Sequence, residues 1–137
     1  HNHEYNDPKL DTDKSLCDKI VSKHGLRMAH LNIRSLLSNL DETKILITEY
    51  NIDILALNET RLCENILSVE LGIDNFVIYR KDRNRNGGGV AIYVNENRVK
   101  HKIRNDLMND EIELVAIEVN QVQTLPIVIP KFWCVYI

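Results

Sequence analysis

The chain is 137 residues long, 44% hydrophobic and 27% charged, with a net charge of −3, which sets one soluble-type globular domain or part of one. No run of 18 apolar residues occurs, so no spanning helix is expected, and the polar start His1-Asn2-His3-Glu4-Tyr5-Asn6-Asp7-Pro8 lacks the apolar core of a secretory signal. Cys17, Cys63 and Cys134 are too few and too widely spaced for a zinc pattern or a disulfide framework, and point to reduced intracellular thiols.

Residues 1–25 are mixed and polar; Leu16, Ile20 and Val21 suit a short helix ending near Gly25, or a loose extension ahead of a domain at 26–137. Leu26 to Ile33 reads as a first strand, with Met28, His30 and Asn32 on one face and Ala29, Leu31 and Ile33 on the other. Ser38 and Asn39 are N-cap candidates. Leu36, Leu40, Thr43, Ile47 and Tyr50 then recur at helical spacing, which predicts an amphipathic helix packed on a sheet. The second strand, Asp53 to Asn58, follows at once. Strand, helix and strand with short links form a βαβ unit, so the two strands should be parallel neighbours.

Glu64 to Leu71 suits a short helix or loop closed by Gly72. Asn75 to Arg80 and Gly88 to Asn95 read as strands three and four, paired as a hairpin with a long basic tip. Val99 to Ile103, Glu113 to Val119 and Ile127 to Ile137 complete the set, the last interrupted by Pro130. The mixture predicts an α/β sandwich layer rather than a doubly wound fold. Charge is uneven along it: residues 80–104 hold eight Lys/Arg against two acids, while the flanking segments are acidic. A basic segment in an acidic chain suits contact with a polyanion, and equally a solvated hairpin tip. Gly87-Gly88-Gly89 permit positive φ and close backbone approach, but no Lys-Ser/Thr follows, which excludes a P-loop.

One stretch carries the chemistry. The apolar run Ile54 to Leu57 stops at Glu59, flanked by Asn58, Thr60 and Arg61. A buried strand ending in an acid delivers that acid to a sheet rim, where ligands of layered α/β proteins sit. Mg²⁺ takes oxygen ligands, keeps several waters and often needs only one or two carboxylates, so Glu59 suits it; a strand-end acid that pairs with Arg61 or caps a helix has the same spacing. Asn32 can donate to a phosphate oxygen or accept from water, or simply close its strand into a turn. Tyr136 is a strand residue with a polar tip. Arg80, Lys81, Arg83 and Arg85 could meet DNA phosphates or form a surface turn.

Four segments in order bear a family resemblance: Leu31-Asn32-Ile33-Arg34-Ser35-Leu36, Asp53 to Leu62, Tyr79-Arg80-Lys81-Asp82-Arg83, and Gly87 to Val94. Together they resemble the endonuclease/exonuclease/phosphatase superfamily, and within it the apurinic-type endonuclease domain of Jockey-like non-LTR retrotransposon polyproteins. The resemblance implies a DNase I-like four-layer α/β sandwich that hydrolyses phosphodiesters with Mg²⁺ (Mn²⁺ in its place). It implies Glu59 as a metal ligand, Asn32 as a residue positioning phosphate or metal-bound water, and Tyr136 as a third catalytic residue. It also implies a DNA partner, a reverse transcriptase domain and element RNA in an intact polyprotein, and a nuclear setting. The Gly-Asp-Phe-Asn and Ser-Asp-His stretches that hold the family's general base and catalytic histidine have no match here. The chain is therefore expected to be the first half of the domain and not to cut alone. A catalytically dead relic, a DNA-binding module, and a phosphatase of the same superfamily stay open beside the endonuclease.

Overall fold

A computed structural model describes residues 25–83, 86–122 and 132–136. The expected opening unit is present. Strand β1 (Met28–Asn32) leads through a 3-10 turn (Leu37–Asn39) into helix α1 (Leu40–Glu49), and then into β2 (Ile54–Asn58). β1 and β2 pair in parallel, Met28 opposite Ile54 and Asn32 opposite Asn58. The helix starts directly after Asn39, one of the two expected capping residues, but the Asn39 side chain makes no capping bond. Its amide instead donates to the carbonyls of Ile33 (3.1 Å) and Ser35 (3.0 Å), bracing the turn that leaves β1.

The remaining strands are β3 (Phe76–Lys81), β4 (Val90–Asn95), β5 (Val99–Ile103), β6 (Leu114–Val122) and β7 (Phe132–Tyr136). β3 and β4 form the expected antiparallel pair, Lys81 opposite Val90. They do not simply follow β2 across the sheet. β4 lies between β2 and β3, giving the order β1-β2-β4-β3, and β5-β6-β7 form a second sheet. Burial explains the choice. The apolar runs of β2 and β4 are buried almost throughout, whereas β1 and β3 are half-buried; runs apolar on both faces belong in the middle of a sheet. The predicted helical segment 64–71 reduces to a 3-10 turn at Ser68–Leu71. The expected helix before Gly25 lies outside the described residues, as do residues 127–131 and 137 of the last predicted strand.

Strand periodicity sorts the core into two layers. Ile54, Ala56, Val90, Ile92 and Val94 face the second sheet and meet Val115, Ile117 and Val119. Leu55, Leu57 and Tyr93 face the opposite way and pack with Ile33, Leu36 and Ile47 beneath α1. The described part is thus a mixed α/β arrangement of helix, sheet and sheet. Tyr93 is fully buried in the helix-side layer, and its hydroxyl donates to the Leu71 carbonyl at 2.7 Å; burial pushes that hydroxyl well above its usual pKa. At the far end of the sheet the buried carboxylate of Asp53 accepts from Arg98 Nε at 2.6 Å and from the Arg27 backbone N–H at 3.0 Å. No described helix is long and apolar enough to cross a membrane.

Candidate functional site at the rim of the first sheet

The ends of β1 and β2 and the start of β4 meet at one rim, and the pairing continues past the regular strands. The Ile33, Ser35 and Leu36 N–H groups donate to the carbonyls of Asn58, Glu59 and Thr60 at 2.9–3.0 Å. On the other side, Thr60 N–H donates to Gly89 O at 3.2 Å and Arg61 N–H to Gly88 O at 2.9 Å. The turn at 58–61 is therefore gripped from both sides.

That grip holds a backbone that residues with side chains seldom adopt. Glu59 (φ 60°), Arg61 (φ 54°), Arg34 (φ 48°) and Ser35 (φ 91°) are all left-handed, as are Gly88 and Gly89. Positive φ at non-glycine residues costs about 1–3 kcal/mol each and persists where the surroundings over-determine it. The effect at Glu59 is concrete. In extended backbone its side chain would follow the alternation of β2 into one core layer; the reversed φ turns it out at the rim, where it is 26% exposed.

The site's electrostatics are mixed. Glu59 Oε1 lies 3.8 Å from Arg61 Nε and accepts a long bond, 3.4 Å, from Gly88 N–H. A second carboxylate, Glu113, arrives from the residue before β6: its Oε1 accepts from Gly89 N–H at 2.8 Å, and its Oε2 lies 3.4 Å from Arg83 Nη1. The sequence reading missed Glu113. The available signal was an acid placed next to an apolar strand, the mirror image of Glu59 after β2.

Asn32 is exposed at the end of β1, opposite Asn58 in register. The two therefore project to the same face at the strand ends, and Asn58 Oδ1 is buried without a hydrogen-bond partner among the described residues. An oxygen acceptor left bare beside a carboxylate rim suits a donor or a hard cation. Among the described residues no three His, Cys, Asp or Glu gather as a metal cage; the side-chain donors that Glu59, Asn58 and Asn32 bring to this rim include a carboxylate and two amide oxygens. The oxygen-only donor set fits Mg²⁺. Tyr136 ends β7 opposite Leu114, which follows Glu113, so the backbone brings it towards the same rim.

The basic turn has another character than its charge count suggests. Arg80 is 14% exposed and points to the helix side, bonded to Asp82 (2.7 Å), the Cys63 carbonyl (3.0 Å) and Ser68 (3.2 Å). Lys81, one residue on, points the other way and donates to Asn109 O at 2.9 Å, beside Asp110. Arg83 is 52% exposed, pairs with Glu113 and donates to Gly87 O at 3.3 Å. Arg85 lies outside the described residues. Arg98 and Arg104 pair with Asp53 and with Asp106 and Glu118, so much of the segment's positive charge is matched inside the chain.

His30 sits on the face of β1 that also carries Asn32. Partial burial holds its imidazole below the usual 6.5. Below pH 6.5 the unfolded chain then binds a proton more readily than the folded one, so stability falls as pH drops through that region. We expect His30→Gln to flatten that part of the stability profile relative to the unsubstituted chain, measured by urea unfolding between pH 7 and 5; parallel profiles would show that His30 contributes nothing.

No protein-family model matches the chain, and no curated protein sequence matches it. Among solved structures it is similar to the human Nocturnin catalytic domain with bound sulfate anion, an endonuclease/exonuclease/phosphatase-fold protein, at a TM-score of 0.45 and 17% identity. The match covers 76% of this chain and 45% of that one.

Proposed function

We propose that the chain carries the Glu59 half of a Mg²⁺-dependent phosphodiesterase site, of the kind that nicks target DNA for a non-LTR retrotransposon. The observation that carries this reading is Glu59 itself: an acid at the end of a buried strand, turned outward by a left-handed backbone that two flanking segments hold in place. Strain kept at one carboxylate suits a ligand whose direction matters. Bound there, Mg²⁺ would offset charge developing on a phosphate. Glu59 supplies the anionic ligand, Asn32 a donor for a phosphate oxygen, and the Asn58 side chain an acceptor on the same face. Tyr136 would join them from β7.

In this reading the turn around Arg83 and Arg85 meets the DNA backbone, with Arg80 and Lys81 shaping the turn from beneath. Each lost phosphate contact lowers the slope of log affinity against log salt by about one, so neutralising Arg83 and Arg85 should flatten the salt dependence of duplex binding. An unchanged slope would remove the turn from the interface.

The deciding measurement is metal binding. Mn²⁺ titrated into the purified chain and followed by water-proton relaxation should bind at one site, and Glu59→Gln should weaken it by at least about 10-fold, the lower end of what even outer-shell changes cost. Wild-type affinity in Glu59→Gln would sink the proposal.

A further inference from the structure

Glu113 directly precedes β6 of the second sheet, yet its carboxylate closes the rim of the first. It is 18% exposed, and its Oε1 takes the Gly89 N–H at 2.8 Å while Oε2 lies 3.4 Å from Arg83. The glycine segment it holds is the one that holds Glu59. Gly89 O accepts from Thr60 N–H, Gly88 O accepts from Arg61 N–H, and Gly88 N–H points to Glu59 Oε1. Arg83 braces the same segment from outside through the Gly87 carbonyl. The path from Glu113 to Glu59 therefore runs through two backbone residues.

We propose that Glu113 is a positioning residue: by accepting the Gly89 N–H it fixes Gly87–Gly89 against the 58–61 turn, and so sets the direction of the Glu59 carboxylate towards a divalent cation. The inference rests on the proposed role of Glu59. Both glycines occupy left-handed backbone, φ 73° and 93°, which glycine reaches without steric cost but also leaves readily. An external acceptor is what keeps such a segment in one conformation. The charge-assisted bond from a carboxylate is the stronger form of that acceptor, and Arg83 pairs the charge of Glu113 at the rim. Glu113 thereby ties the spacing of the two sheets to the geometry of the site.

The test uses the purified chain with Mn²⁺ as probe and two readouts. The first is the Gly89 amide signal in a ¹⁵N–¹H correlation spectrum recorded without metal; the second is the Mn²⁺ dissociation constant from proton relaxation. Glu113→Ala should move the Gly89 amide proton upfield and weaken Mn²⁺ binding about 10–100-fold, the usual cost of losing a partner behind a ligand. Glu113→Gln keeps an acceptor oxygen, so it should hold both readouts near the unsubstituted values. Equal weakening by the two variants would overturn the positioning role in favour of charge alone, and so would a shifted Gly89 amide with unchanged Mn²⁺ affinity. Loss of Mn²⁺ binding in Glu59→Gln with none in Glu113→Ala rejects this inference and spares the proposed function; an unaffected Glu59→Gln rejects the function itself.

Discussion

Gly89→Ala should destabilise the chain by about 3 kcal/mol and lower its melting temperature by roughly 10 °C, and should abolish Mn²⁺ binding even where the variant remains folded. Two costs add. The backbone at Gly89 is left-handed, φ 93°, which alone costs an L-residue about 1–2 kcal/mol. A Cβ there would also collide with Thr60 Oγ1, and Thr60 is fully buried. Either the β4 entry or the Thr60 turn must move, and Glu59 lies beside both. Gly88→Ala is the control. Its backbone is also left-handed, but the atoms a Cβ would meet belong to the Arg83 side chain, which is half-exposed and can give way. Calorimetry on the two variants should show the larger loss at Gly89; the reverse order would mean that the close approach to Thr60 does not constrain the rim.

Asp53→Ala should cost about 3 kcal/mol without changing Mn²⁺ affinity once folded. Asp53 is 2% exposed and collects Arg98 Nε, Arg98 Nη2 and the Arg27 N–H on its two oxygens. Its backbone joins the same knot, its N–H donating to Arg27 O and its carbonyl accepting from Asn95 N–H. Removing one partner of a buried pair costs about 3–5 kcal/mol because the other charge is stranded, and Arg98, one-third exposed, places the loss at the lower end. Denaturant unfolding measures the first half of this expectation and proton relaxation the second. A loss below about 1 kcal/mol would reduce the pair to a surface-like interaction. Because Asp53 and Glu59 lie at opposite ends of β2, the pair of variants separates stability of the sheet from geometry of its rim.

Glu59 was legible because its position is a local fact. A short apolar run followed by an acid says where a buried strand stops, and the run 54–57 is buried at every residue. The parallel pairing of β1 with β2 was legible for the same reason, since short links around a ten-residue helix leave little choice of topology. Asn39 shows the limit of local rules. It stands at the cap position, yet its Nδ2 donates to three carbonyls of the preceding turn and its side chain makes no capping bond.

Sequence by itself determined the described strands, helix α1 and the acid at the end of β2, because periodicity and turn chemistry act over a few residues. Tertiary structure alone decided the insertion of β4 between β2 and β3, since that depends on which apolar runs compete best for burial on both faces. It decided the basic turn as well: Arg80 and Lys81 are neighbours in sequence, but the period of two sends one to the helix side and the other to the second sheet, each to its own acid. And it brought Glu113 to Gly89 across 24 residues, a contact that exists only because two sheets pack face to face. The rim around Glu59 is built by that packing, and no pattern within either strand contains it.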